Sequence, residues 1–138
     1  MELLVKTAAE TTAMSNAGTV LLVEDEANML QLLETIFLHH GYKVLKATNG
    51  QSALEVYQQH KDEIAVVLLD MGLPKISGRD VLLKIRSENP DVKVIITSGY
   101  IEPSMESQLD HARIKFLPKP YTPNDVFKTL QSLAATTI

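Results

Sequence analysis

Ile64-Ala-Val-Val-Leu-Leu-Asp70-Met-Gly-Leu-Pro74 is the stretch whose reading decides the fold. Six apolar residues lead straight into one carboxylate. A continuous run of this length, rich in Val, Ile and Leu, reads as a strand buried on both faces. Gly72, Pro74 and Gly78 then break the pattern, so a loop follows. Asp70 thereby falls at the carboxyl end of an interior strand, where open α/β sheets hold their ligands. An Asp also starts turns and caps helices, so its meaning depends on the flanking chain.

On the amino-terminal side, Thr19-Val-Leu-Leu-Val23 is a second apolar run and ends in Glu24-Asp25-Glu26. Met29, Leu32, Leu33, Ile36 and Phe37 then recur at helical spacing, and Gly41 closes that helix in a left-handed cap. Tyr42 to Ala47 reads as a strand nearer the sheet edge, with Lys43 and Lys46 facing solvent as a guard against edge pairing. Asn49-Gly50 turns the chain and caps a helix carrying Ala53, Leu54 and Tyr57.

On the other side, Gly78 opens a helix with Val81, Leu82 and Ile85 inward, stopped by Asn89-Pro90. Val92 to Ile96 is the next strand and runs into Thr97-Ser98-Gly99-Tyr100. A short, weakly amphipathic helix spans about residues 103 to 110. Ile114-Lys-Phe-Leu117 is the last strand and leads to Pro118-Lys119-Pro120. Thr122 as N-cap, Pro123 at the first helical position and Asp125 two positions on mark a final helix start. Val126, Leu130 and Leu133 line its buried face.

Strand and helix alternate five times. That order implies right-handed crossovers and a parallel sheet covered on both faces. The expected fold is α/β, a flavodoxin-like (βα)5 doubly wound parallel sheet with strand order 2-1-3-4-5. Residues 1–17 are small, polar and unpatterned apart from Leu3, Leu4 and Val5, and read as a linker or flexible tail. The single domain then covers 18–135.

Bulk properties narrow the function. The chain of 138 residues is long enough for one real core. Its net charge of −4 and lack of a basic stripe argue against nucleic-acid binding. There is no cysteine, hence no disulfide framework and no thiol nucleophile. No apolar run approaches the ~20 residues needed to span a bilayer, and the amino terminus lacks a signal-peptide pattern. A cytoplasmic protein without membrane contact is expected.

In a parallel sheet the carboxyl ends of all strands share one rim. Four of them carry chemistry here: Glu24 and Asp25, then Asp70, then Thr97 and Ser98, then Lys119. With strand order 2-1-3-4-5 the three carboxylates crowd together. Like charges so placed oppose folding unless a cation sits among them. All-oxygen ligands suit Mg²⁺, with Mn²⁺ as the second choice. Asp70 stands alone on the central strand and is the candidate nucleophile; carboxylates are known to form acyl phosphates. Lys119 and a hydroxyl could hold phosphate oxygens.

These residues resemble the receiver domain of two-component response regulators. Val20-Leu-Leu-Val-Glu-Asp-Glu26 is similar to the family's first strand and acidic pair. Leu69-Asp70-Met-Gly-Leu-Pro74 with Ser77-Gly78 resembles the phosphoacceptor motif. Ile96-Thr-Ser-Gly-Tyr100 resembles the switch hydroxyl region, and Phe116-Leu-Pro-Lys119-Pro-Tyr-Thr122 the Lys-Pro segment. The resemblance covers about residues 18–135.

It implies that Asp70 accepts a phosphoryl group from a phosphohistidine on a histidine kinase or histidine phosphotransfer domain. Glu24, Asp25 and Asp70 would hold Mg²⁺ together with the backbone carbonyl of Gly72. Lys119 would pair with Asp70 and then with phosphoryl oxygens. Ser98 is the better match to the switch hydroxyl and Thr97 the runner-up; Phe116 takes the aromatic switch position. The output face would be the fourth helix, fifth strand and fifth helix, from about residue 102 to 133, and a homodimer would use that face.

Two residues depart from the commonest pattern. Glu24 stands where Asp is more frequent, and Phe116 replaces a frequent Tyr, so that ring has no hydroxyl. A hybrid sensor histidine kinase is the preferred parent, with a stand-alone regulator or a phosphorylation-independent adaptor as alternatives. The domain would catalyse its own phosphorylation and dephosphorylation without being a turnover enzyme. A haloacid-dehalogenase-type hydrolase would need a second acid at position 72, which is Gly. A flavin-phosphate loop would be repelled by Glu24-Asp25-Glu26. His39, His40, His60 and His111 lack metal-ligand spacing.

Overall fold

The computed structural model describes residues 18–73, 76–99 and 113–135. They form β1 (Thr19–Val23), α1 (Ala27–His39), β2 (Lys43–Ala47), α2 (Gly50–His60), β3 (Ile64–Asp70), α3 (Gly78–Glu88), β4 (Lys93–Ser98), β5 (Ile114–Pro118) and α4 (Pro123–Ala135). The helix expected at 103–110 lies outside the described residues, as do Pro74, Tyr100 and His111.

The five strands make one parallel sheet in the order β2-β1-β3-β4-β5. This is the expected doubly wound order, with β1 and β3 adjacent where the winding reverses. Successive strand residues point to opposite faces, so β3 feeds two cores. Val67 and Leu69 pack with Ala53, Tyr57, Val81 and Ile85 beneath α2 and α3. Val66 and Leu68 pack with Leu33, Phe37, Val126 and Leu130 beneath α1 and α4. Edge strand β2 keeps Lys43 and Lys46 exposed, and each meets a carboxylate, Glu63 at 3.6 Å and Glu34 at 3.0 Å.

The helix boundaries follow local chemistry. The Asn49 side chain accepts from Ser52 N–H at 2.8 Å, and Ser77 Oγ accepts from Asp80 N–H at 3.2 Å. Thr122 and Asp125 cap α4 reciprocally: Asp125 N–H donates to Thr122 Oγ1 and Thr122 N–H to Asp125 Oδ2. Gly41 ends α1 at φ +89°. One expectation needs correction within α1. Leu30 is buried with Leu33, Ile36 and Phe37, whereas Leu32 is 37% exposed. At 100° per residue, Leu30, Leu33 and Phe37 align on one stripe, and Leu32 falls to its side. Among the described residues, no helix is long and apolar enough to cross a membrane.

Candidate functional site: an acidic rim with one lysine

The site is built by strand ends. Leu68 and Leu69 are fully buried, so Asp70, next in line, cannot retreat into solvent and is 3% exposed. Its Oδ1 accepts from Gly72 N–H at 2.9 Å, and its Oδ2 accepts from Lys119 Nζ at 3.0 Å. Pairing continues past the end of β3, where Met71 N–H donates to Thr97 O at 2.9 Å. The returning loop then passes very close. A Cβ at Gly78 would stand 2.6 Å from Met71 Cα and 2.7 Å from the Asp70 carbonyl oxygen, so only glycine fits there.

Glu24 follows β1, whose five residues are all buried. Glu24 itself is 1% exposed. Its Oε2 accepts from Glu26 N–H at 3.1 Å, and its Oε1 lies 3.7 Å from Lys119 Nζ without a hydrogen-bond partner. Burial pushes the Glu24 carboxyl up to about 7, with the negative charge of Asp70 adding to the rise; the Glu26 N–H and the Lys119 ammonium act against it. Asp25 is exposed. One carboxylate oxygen from each of Glu24, Asp25 and Asp70 falls within 4.8 Å of the others.

Lys119 is set by the β4–β5 pairing, since its backbone N–H donates to Ser98 O at 2.8 Å. Burial works against its charge, but the hydrogen bond to Asp70 and the charges of Asp70, Glu24 and Asp25 prevail and raise it above the usual lysine range. Three carboxylates thus face one ammonium, and a buried Glu24 oxygen still lacks a donor. That donor set fits a hard divalent cation bound through oxygen.

The two neighbouring hydroxyl residues divide between faces. Thr97 pairs in register with Asp70 and is fully buried, with no partner for its Oγ1 among the described residues. It alternates with Ile95 onto the α1–α4 side. Ser98 is half-buried and follows Ile96 on the opposite side. Phe116, half-buried, packs against that same α2–α3 core and pairs in register with Ile96. Ser98 and Phe116 therefore share a face, away from Thr97.

The backbone brings Glu24, Asp25, Asp70, Gly72 and Lys119 to one place. Phe116, on β5, stands apart from the acids, two strand pairings from Asp70. Tyr121, to which the sequence assigns no role, is 8% exposed and carries a buried hydroxyl with no hydrogen-bond partner among the described residues. An aromatic after Lys-Pro looks like core filling, and only the fold shows which charges it faces.

A family model described as the response regulator receiver domain matches residues 20–131. The chain is 33% identical over 129 residues to the sensor kinase CckA of Brucella abortus, covering 93% of this chain and 14% of that protein. It is 33% identical over 117 residues to the chemotaxis protein CheY of Thermotoga maritima, covering 83% of this chain and 96% of that one. Among solved structures, the response regulator TrrA of Thermotoga maritima, in complex with Mg²⁺-BeF, superposes with a TM-score of 0.70 at 27% identity, covering 84% of this chain and 98% of that one. The chain thus spans about a seventh of the sensor kinase and nearly all of the chemotaxis protein.

Proposed function

Since the chain belongs to the response regulator receiver family, we propose that it is a phosphoacceptor module in which Asp70 takes a phosphoryl group from a phosphohistidine. The observation that carries this reading is the 3.0 Å contact between Lys119 Nζ and the buried Asp70 Oδ2. In the transfer, an Asp70 oxygen bonds to phosphorus as the P–N bond to imidazole breaks. The bonding pair leaves with the imidazole, and an acyl phosphate remains. Such a step asks for positioning and charge neutralisation more than for covalent help. Gly72 N–H and Lys119 hold the two Asp70 oxygens from different sides, and Lys119 is free to follow charge onto the phosphoryl oxygens.

Glu24, Asp25, Asp70 and the Gly72 carbonyl are the groups that would hold Mg²⁺ or, less commonly, Mn²⁺. The ion would supply neutralisation of phosphoryl charge. The TrrA complex with Mg²⁺-BeF supports this by likeness. Ser98 and Phe116 are the proposed switch pair: their common face lets a shift of one be felt by the other. Thr97, on the other side, is displaced from that role. Without a ring hydroxyl, Phe116 would be held inward by burial alone.

The output would then be read along β5 and α4, where a homodimer would also form. The donor is a histidine kinase or a histidine phosphotransfer domain, and the setting is cytoplasmic. We take 18–135 as the domain and 1–17 as its linker. The longer alignment with the CckA kinase favours a hybrid-kinase receiver over a stand-alone regulator.

Incubation with Mg²⁺ and acetyl phosphate tests the reading. Intact-mass measurement should show one added phosphoryl group on the wild type and none on Asp70→Asn. An unmodified wild type would favour a phosphorylation-independent adaptor.

A further inference from the structure

Two buried oxygens beside the acidic rim lack a hydrogen-bond partner among the described residues, Glu24 Oε1 and the Tyr121 hydroxyl. Their residues are 1% and 8% exposed. Buried polar atoms are almost always satisfied, so two such atoms on one side of a site call for a common partner. The fold brings them to the same side. Glu24 extends β1, whose Val20 and Leu22 pack into the layer beneath α1 and α4; alternation sends Glu24 the same way. Tyr121 packs in that layer. Lys119 ties the two together: it is two residues before Tyr121, and its Nζ is 3.7 Å from Glu24 Oε1.

Electrostatics agree with this placement. Burial first, then the charges of Glu24, Asp70 and Glu26, hold the Tyr121 phenol far above its ordinary range. The phenol is therefore a neutral O–H donor near carboxylates. Glu24 also has a need for one. Its chain is one methylene longer than an aspartate's, and the hydrogen bond it accepts from Glu26 N–H runs through Oε2. Oε1 has the longer, 3.7 Å contact with the Lys119 ammonium and no hydrogen-bond donor among the described residues.

We infer that Tyr121 is a positioning residue for the metal pocket: its hydroxyl donates to one enclosed water, which donates in turn to Glu24 Oε1. The ring wedges the layer beneath α1 and α4, and the hydroxyl fixes the orientation of Glu24. An enclosed water of this kind needs at least two polar partners, and this pair provides them. The inference rests on the metal-binding reading of Glu24.

Mg²⁺ titration calorimetry on the full chain tests it, with wild type, Tyr121→Phe, Glu24→Gln and the double variant. Removing a group that orients a metal ligand typically weakens binding tenfold or more. Tyr121→Phe should therefore lose about tenfold in Mg²⁺ affinity, and next to nothing in the Glu24→Gln background. With ¹³Cζ-labelled tyrosine, the signal missing from Tyr121→Phe should move on Mg²⁺ addition in the wild type and stay still in Glu24→Gln. Tyr121→Phe binding within twofold of wild type, or losing the same factor in both backgrounds, overturns the inference alone. A wild type that takes up no Mg²⁺ overturns the metal-binding reading and the inference with it.

Discussion

Lys119 and Asp70 are 49 residues apart along the chain, yet the ammonium donates to the carboxylate at 3.0 Å. The same ammonium stands 3.7 Å from Glu24 Oε1. Lys119 therefore serves two acids, and its removal should have two opposite effects.

Lys119→Met removes the ammonium that faces the three carboxylates among the described residues. A divalent ion then meets a more negative pocket, so Mg²⁺ affinity should rise about fivefold or more. Phosphorylation by acetyl phosphate should fall by about a hundredfold, the usual cost of losing one charged donor at a developing oxyanion. Calorimetry and time-resolved intact mass read the two effects separately. A parallel fall in both would mean that Lys119 holds the pocket's shape rather than its charge.

The Glu24 carboxyl sets a stability slope. Its proton is held up to about 7, against 4.5 for an ordinary glutamate. Between those values the folded chain keeps a proton that the unfolded chain has released. Stability of the metal-free protein should therefore decline as pH rises from about 4.5 to 7 and change little above, by up to about 3 kcal/mol from this group. Glu24→Gln should flatten that part of the profile. Mg²⁺ should oppose the decline, because it binds the ionised form. Urea midpoints at pH 5 and 7.5, with and without the ion, check the sign.

Gly78→Ala presses a methyl into the backbone beside Asp70, where Met71 Cα and the Asp70 carbonyl oxygen are less than 3 Å away. Backbone cannot step aside as a flexible side chain can. A loss of about 1–3 kcal/mol is expected, accompanied by slower phosphorylation, since the displaced segment carries the nucleophile. Denaturant unfolding and phosphorylation rates measured on one preparation link the two. Normal phosphorylation in a destabilised variant would separate this packing from the chemistry.

Thr97 and Ser98 should differ in kind. Thr97→Val swaps a buried, unpartnered hydroxyl for a methyl of the same shape, so stability should hold or rise by about 1 kcal/mol. Ser98→Ala, on the face shared with Phe116, should cost no more than about 1.5 kcal/mol, the usual range for one hydroxyl hydrogen bond. It should also uncouple phosphorylation from chemical-shift changes along β5. A loss of that coupling in Thr97→Val instead would reverse the assignment.

Much of the fold is legible because the two central strands, β1 and β3, are apolar runs that end in charge. Asp70 is legible from the run Ile64 to Leu69 taken together with the other strand ends, as a charge forced onto the end of a buried strand. The two hydroxyls at 97 and 98 could not be separated by sequence, because adjacent positions share the same local chemistry. Strand alternation sorts them only once Ile95 and Ile96 are assigned to faces. Leu32 was misread for a similar reason: Met29, Leu30, Leu32 and Leu33 offer two overlapping helical stripes, and packing chooses one. Tyr121 is not legible as anything but core filling, because its place in the layer beneath α1 and α4, on the same side as Glu24, follows from the fold and not from neighbouring residues.

Parallel strands also fix where the flanking chain departs. Every strand points toward the acids, so Gly18, at the start of β1, sits at the far pole. After Lys119, α4 runs back along the sheet and carries Leu133 beside Ile64 and Tyr42, again at that pole. Both exits lie on the side away from the carboxylates. A segment attached at either exit would therefore approach the domain from behind and leave the rim of Asp70 and Lys119 uncovered.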